Sequence, residues 1–311
     1  MKYIVTHTSP DWDAIGSVWL IKKYLPGWQE ARVKFVPAGQ RIGNSKFKVI
    51  VGEELKQITD DIVEQIGADE YIHVDTGLGP LDHHQINDMH VCGMSRTWDY
   101  IREEKDKGDG VTEFTVEHIE AVNRIVKVVV QIDHFQEIFW GDPIADYQEF
   151  SLNGVLDGLK LAKPNEDETY LKYGIESLNA LVHEFENRIW AEKEIQQKRM
   201  EFNSRWGKGI GLETINDAVL KLSQKMGYEI VVRKDPHKGY VRIKLRPAKV
   251  DTKQEGGDLT LAYESLRKID PDATWFLHIS KKMLLNGTPK NPDMVSTKLS
   301  LQAIIRVLEG I

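Results

Sequence analysis

Tyr3-Ile4-Val5-Thr6-His7-Thr8-Ser9-Pro10-Asp11-Trp12-Asp13-Ala14-Ile15-Gly16-Ser17 is the stretch whose reading decides the fold. The apolar run Tyr3–Val5 predicts a short buried strand, and Ile15, Val18, Trp19 and Lys22 follow at helical spacing. Between them a tight loop containing Pro10 gathers His7, Asp11 and Asp13 at the carboxyl end of a strand, where open α/β sheets place their ligands. One imidazole and two carboxylates in so small a space repel unless a positive charge lies between them. A divalent cation is the natural candidate.

Outward from that loop, composition sets the bounds. The 311 residues suffice for two domains of ordinary size. No apolar run reaches the length of a membrane span, so a soluble protein is expected. Met1-Lys2-Tyr3-Ile4 enters a strand directly, without the charged and apolar regions of a leader. Cys92 is the one cysteine, which excludes a disulfide framework or a thiolate zinc site within the chain and suggests a cytoplasmic location. The net charge of −7 argues against nucleic-acid binding by bulk electrostatics alone.

Further strands are expected at Arg32–Val36, Phe47–Val51 and Tyr71–Asp75, with a helix from Leu55 to Ile66. Strands alternating with helices predict an α/β fold with a parallel sheet covered on both faces. Helices are also expected at Thr97–Ile101 and Val116–Val130, the latter with Ile119, Val122, Val126, Val129 and Val130 on one stripe. Leu171, Ile175, Leu178, Val182, Phe185 and Ile189 predict one long connecting helix from Glu168 to about Arg205, followed by a helix over Leu212–Met226. A hairpin of Tyr228–Arg233 and Tyr240–Arg246, a strand at Thr274–Ser280 and a closing helix capped by Ser296 complete a smaller mixed α/β domain. The expected organisation is a metal-binding domain over 1–150, a helical linker over 151–210 and a substrate-binding domain over 211–311, with the active site between the two domains.

Tyr71–Asp75 is expected to end its strand on an aspartate, Asp82-His83-His84 follows seven residues later, and Asp133 closes the Val116 helix. The chain therefore offers His7, Asp11, Asp13, Asp75, Asp82, His83, His84 and Asp133, most of them at the ends of elements. Oxygen-rich sets with one or two imidazoles suit Mn²⁺ or Mg²⁺. A carboxylate between two such cations supports in-line displacement at phosphorus, the hydrolysis of a phosphoester or phosphoanhydride.

The order His-x-x-x-Asp-x-Asp-Ala-x-Gly-Ser, a strand ending Asp-Thr-Gly, then Asp-His-His and a late Asp resembles the DHH phosphoesterase superfamily. That superfamily includes RecJ-type exonucleases, oligoribonucleases, cyclic-dinucleotide phosphodiesterases and family II pyrophosphatases. Leu81-Asp82-His83-His84-Gln85, Tyr228 to Arg246, Trp275-Phe276-Leu277-His278 and Asn286-Gly287-Thr288-Pro289 look most like its MYG-type exonuclease family. The first loop is of the general DHH kind, and the glycine-rich Gly-Gly-Gly-His motif of RecJ-type second domains is missing. The resemblance implies one Mn²⁺ on His7, Asp11 and Asp75, and a second on Asp13, Asp75, His83 and Asp133, with Asp75 bridging. It implies that His84 contacts the scissile phosphate or its leaving oxygen and that Asp82 orients a neighbouring imidazole. The implied activity is manganese-dependent phosphodiester hydrolysis of nucleic acid or short oligonucleotides by a two-metal-activated hydroxide. A pyrophosphatase or small-nucleotide phosphatase, acting on phosphoadenosine phosphate or cyclic dinucleotides, is the alternative within this chemistry. A non-catalytic metal-dependent nucleotide-binding module is the alternative outside it.

Blander roles compete at several positions. Asp11 and Asp13 also suit helix caps, His73 a hydrogen-bonded core histidine, and His90 and His118 the surface. His134 is placed to face the site or to miss it. Arg96 suits either a phosphate or a helix carboxylate. In the second domain Arg242, Lys244 and Arg246 form a basic strip, and His278, Lys281, Lys282, Asn286, Gly287, Thr288 and Lys290 a cationic loop suited to a phosphate or sugar. The long helix offers a surface for a homodimer.

Overall fold

A computed structural model describes residues 1–43, 56–106, 114–248, 257–288, 291 and 293–311. The expected strand Phe47–Val51, the first residue of the expected helix Leu55–Ile66, and Pro289 and Lys290 lie outside them. The chain forms two compact units, Met1–Phe185 and Glu186–Ile311. Both are mixed α/β. Among the described residues no helix is long and apolar enough to cross a membrane.

Unit 1 begins with β1 (Lys2–His7), α1 (Trp12–Tyr24), β2 (Arg32–Val36), β3 (Glu64–Ile66) and β4 (Asp69–His73). Its sheet runs β2-β1-β4-β3, with β1 parallel to β2 and β4. β3 is antiparallel to β4, so the sheet is mixed rather than all-parallel. Residues 56–63 are irregular and lead into β3, in place of the expected helix. Ile62 packs against the main core and Ile66 against a second, smaller cluster, while Ile58 and Val63 are exposed, a scatter that the helical spacing of Ile58, Ile62 and Ile66 concealed. α2 (Gly93–Asp106), α3 (Val116–Asp133), a 3₁₀ turn (Gln136–Phe139), α4 (Asp146–Glu149) and α5 (Leu152–Ala162) follow, then α6 (Asp167–Lys198).

α1 is buried almost all round, from Trp12 to Ile21, as expected of a helix inside a core rather than on its surface. Ile4, Ile72 and Val74 from the sheet meet Ile15, Val18, Trp19, Trp98, Val122 and Ile125 from the helices. Each fully buried side chain of this size contributes about 1.5–3 kcal/mol. The opposite face of the sheet carries a smaller cluster of Tyr3, Val5, Val36 and Tyr71. No helix among the described residues joins that cluster, whereas the sequence suggested helices on both faces. Leu156, Tyr170, Leu171, Leu178 and Val182 pack into the main core, so the expected linker over 151–210 is largely part of unit 1.

Unit 2 takes the end of α6 and then β5 (Met200–Ser204), β6 (Gly207–Glu213), α7 (Ala218–Lys225), β7 (Ile230–Lys234), β8 (Val241–Leu245), α8 (Thr260–Ile269), β9 (Trp275–Leu277), β10 (Met283–Asn286) and α9 (Leu301–Glu309). The sheet order is β5-β6-β7-β8-β10-β9, antiparallel except for β6 with β7. α6 stops at Lys198 because Met200 opens a strand, not at Arg205. The expected helix Leu212–Met226 is instead the end of β6, a turn and α7, with Asn216 accepting from the Ala218 N–H at the helix start. The β7–β8 hairpin is as expected: Val241, Ile243 and Leu245 are buried while Arg242 and Lys244 face the other way. α9 is capped by Ser300, whose hydroxyl accepts from the Ala303 N–H, and not by Ser296, which donates to the Lys238 carbonyl.

Candidate metal centre

Three pieces of unit 1 backbone converge beyond the carboxyl ends of β1 and β4. At the first, Asp11 caps α1: Oδ1 accepts from the N–H groups of Asp13 and Ala14, both at 3.0 Å. Its other oxygen lies 3.8 Å from His7 Nε2. The cap thus uses one oxygen of the carboxylate and leaves the other facing His7. Ser9, just before the cap, is pinned by Asp167 through its N–H and by Lys160 through its carbonyl.

At the second, Asp75 follows β4 with φ 49°, a left-handed conformation uncommon outside glycine and favoured by Asn and Asp. That turn takes the chain out of the sheet, which is why β4 ends at His73 rather than Asp75. Asp75 presents Oδ2 to His7 Nε2 at 3.1 Å and Oδ1 to His83 Nε2 at 3.5 Å. The loop returns on itself through Asp82, whose Oδ2 accepts from the Leu78 N–H at 2.6 Å and whose Oδ1 meets His84 Nδ1 at 2.6 Å. Asp82 thereby orients the His84 ring and leaves Nε2 for a ligand. At the third, Asp13 accepts from the backbone N–H groups of Gly93 (2.6 Å) and Met94 at the start of α2. Its Oδ2 and Asp133 Oδ2, at the end of α3, lie 3.5 and 3.6 Å from His83 Nε2.

His83 Nε2, Asp75 Oδ1 and Asp133 Oδ2 are all buried without a hydrogen-bond partner. Orphaned polar atoms are rare in folded interiors and need an explanation. Here the orphans face one another across about the separation that ligands of one cation keep. His7, Asp11 and Asp75 form one possible ligand group, and Asp75, His83 and His84 another. His134 joins His83 and Asp133 in a third, its Nε2 2.9 Å from the Val91 carbonyl oxygen.

The charges follow the geometry. Burial raises the pKa of Asp11, Asp13 and Asp133, and the Asp75 charge adds to the rise in each, although half of the Asp11 side chain is exposed. Asp75 itself is held at about 2: burial opposes its charge, but the hydrogen bond from His7 and the nearby His83 and His84 imidazoles outweigh burial. His7 is raised to about 9, burial being overcome by the hydrogen bond to Asp75 and the charges of Asp11 and Asp75. The Asp82 hydrogen bond, against burial, raises His84 to about 9. Three of the four acids are thus harder to ionise than an ordinary carboxyl, a strain that a positive charge among them would relieve.

The Asp75 turn is supported from behind. Thr76 donates its hydroxyl to the Gln40 carbonyl, and Arg41 donates to the Gly77 carbonyl at 2.7 Å while pairing with Glu64. His73 meets Glu64 at 3.0 Å and accepts from the Ile42 N–H, so it is a core histidine of this clip and not a ligand. His118 meets the Tyr24 hydroxyl and His90 is exposed. Arg96 donates Nε to the Pro80 carbonyl instead of pairing with a helix carboxylate, which fastens the loop before Asp82.

The second-unit candidates are placed otherwise. Arg242 pairs with Asp217, Arg246 with Glu229, Lys281 with Asp258, and His278 with Ser280. Lys282 donates to the Gly257 carbonyl and Thr288 bridges to Asn291. Asn286 is a correction: it is fully buried, its amide donates to the Thr274 and Val295 carbonyls, and its oxygen accepts from the Thr297 N–H. It ties chain segments together and has no atom left for a substrate. Gly287 lines a surface pocket with Arg242.

Gly93 was invisible as a site residue because glycine carries no chemistry of its own. A Cβ there would sit 3.0 Å from both Asp13 Oδ2 and Asp75 Cβ and 3.2 Å from the Asp75 backbone. Gly93→Ala is therefore expected to push two acids apart and weaken Mn²⁺ binding at least about 10-fold, the scale of a disturbed ligand surround. Isothermal titration with Mn²⁺ checks this, with the far-ultraviolet circular dichroism spectrum unchanged.

No family model matches the chain, and no curated protein matches it. Among solved structures, an uncharacterized protein from Helicobacter pylori G27 aligns over 100% of this chain and 99% of its own, at 10% identity and a TM-score of 0.24. That likeness is too slight to carry any inference about fold or function.

Proposed function

We propose that the chain is a divalent-cation-dependent phosphoesterase of the DHH type, acting on phosphodiester bonds of nucleic acid or short oligonucleotides, with Mn²⁺ as the favoured ion and Mg²⁺ as the alternative. The observation that carries this reading is Asp75, one carboxylate with an oxygen turned to each of two imidazole-and-acid groups. His7, Asp11 and Asp75 would hold one cation; Asp13, Asp75, His83 and Asp133 would hold the second. A pair of cations sharing a carboxylate supplies, when bound, a nucleophile at neutral pH and neutralisation of charge on phosphorus oxygens. The hard oxygen ligands and absence of thiolate suit Mn²⁺ or Mg²⁺ rather than a soft metal.

The chain's own groups divide the remaining work. Asp82 fixes the His84 ring, and His84, charged through the neutral range by that contact, is suited to steady a phosphate oxygen or give a proton to the leaving oxygen. The Gly93 and Met94 N–H groups hold Asp13 in place before any ligand arrives. The Arg41–Glu64–His73 clip does the same for the turn carrying Asp75.

A panel of pyrophosphate, cyclic dinucleotides, phosphoadenosine phosphate and a labelled RNA 5-mer, each with Mn²⁺ and with EDTA, tests the reading. Mn²⁺-dependent shortening of the 5-mer is expected. Preferred release of orthophosphate from pyrophosphate, or turnover confined to the small nucleotides, would move the assignment to a phosphatase. Nucleotide binding without turnover of any substrate would replace it with a binding module.

A further inference from the structure

Unit 2 contains a pocket of about 380 Å³ at the turn of the β7–β8 hairpin, lined by Asp217, Arg233, Asp235, His237, Lys238, Tyr240 and Arg242 among others. Arg233 and Arg242 stand directly opposite each other across the two strands. Like charges in that position cost stability, so something negative belongs between them. In the protein alone it is Asp217, whose two oxygens go one to each guanidinium, 3.1 Å from Arg233 Nε.

Asp217 does not fill the need. The Arg233 side chain is only 7% exposed, yet Nε is buried without a properly directed acceptor, and of its other donors Nη2 reaches the Ile215 carbonyl at 3.1 Å. A guanidinium carries five N–H donors in a planar fork, and a buried one whose Nε lacks a well-directed acceptor calls for an explanation. Asp235 cannot serve fully: its Oδ1 accepts from the His237 and Lys238 N–H groups to close the turn, and Oδ2 stays 4.0 Å from Arg233. Arg233, Arg242 and Lys238 face two carboxylates in the pocket, which leaves an excess of positive charge.

We propose that this pocket binds the phosphate group of a small phosphomonoester, held by the paired guanidiniums of Arg233 and Arg242, with Asp217 acting as the internal carboxylate that the ligand displaces. Three oxygens and a double charge match two forks better than one carboxylate does. The pocket belongs wholly to unit 2, so the inference stands apart from the metal centre and from its chemistry.

The test is titration of the full-length protein in EDTA with adenosine 5′-monophosphate, inorganic phosphate and adenosine. Asp75→Asn, which disables the proposed metal centre, serves as the parallel background. The monophosphate and phosphate are expected to bind and adenosine not to, equally in both backgrounds. Arg242→Gln is expected to weaken binding about 10-fold or more, and Asp217→Asn to tighten it. Arg242 is partly exposed, so its replacement leaves the unit 2 core intact. Binding that is indifferent to Arg242→Gln, or no binding in either the native protein or Asp217→Asn, overturns the proposal. Loss of binding in Asp75→Asn alone would do so as well, since it would return the ligand to the metal centre.

Discussion

Asp75→Asn is expected to abolish Mn²⁺-induced stabilisation and to lower phosphodiester hydrolysis by about 1,000-fold or more, equivalent to about 4 kcal/mol in the barrier. The substitution keeps the left-handed turn, which Asn tolerates nearly as well as Asp, and removes only the charge shared between the two groups. In EDTA the variant also loses some stability. The carboxyl is held at about 2, below its ordinary value, so its contribution is present above the unfolded value near 3.8 and lost only as pH falls through about 2. At neutral pH the asparagine forgoes that contribution in full. Hydrolysis rates and thermal melts with and without Mn²⁺ measure both effects. Full turnover in a folded Asp75→Asn protein would eliminate the hydrolase reading.

Asp133→Asn is expected to behave in the opposite sense without metal. Burial raises its carboxyl above the ordinary value, with Asp75 and Asp11 adding to the rise against the attraction of His83. A raised carboxyl costs stability when ionised, and the cost disappears as pH falls through its folded value. In EDTA at pH 7–8 the amide is therefore expected to melt higher than the native protein, by about 1 kcal/mol or roughly 2–4 °C for a unit of this size. The gap closes as the solution is acidified. With Mn²⁺ at 100 times its dissociation constant the order reverses, because the native protein gains about 2.7 kcal/mol, roughly 5–10 °C, and the variant gains much less. Equal Mn²⁺ shifts in the two proteins would show that Asp133 holds no ion.

Much of this centre was legible because its residues sit at the ends of strongly patterned elements. β2 occupies Arg32–Val36 as expected, and α3 needed only three more residues to reach Asp133. The geometry then adds what side-chain chemistry does not announce. Gly93 and Met94 act through backbone N–H groups, the Val91 carbonyl holds His134, and Arg41 works from the far side of the turn. Sequence patterns failed where elements were short or shared a period. Three-residue β3 is too brief to alternate visibly, and the apolar residues of β6 and α7 merged into one false helix. β6 was also hidden by its glycines. Gly209 is there because the Phe202 ring of the neighbouring strand occupies the space a side chain would take, within 2.4 Å of a built Cβ. Asn286 misled for another reason: a polar residue before a glycine resembles a binding loop, and only the structure reveals that its bonds are spent inside the fold.

The left-handed backbone at Asp75, braced by Arg41, has a kinetic side. Its ordering is completed when the chain folds, so a cation of the kind proposed would find its acceptor oxygens already assembled. On the proposed reading, the pace of loading would then be set by the ion shedding its water shell rather than by rearrangement of the polypeptide, which would favour a readily dehydrated Mn²⁺ over a reluctant Mg²⁺.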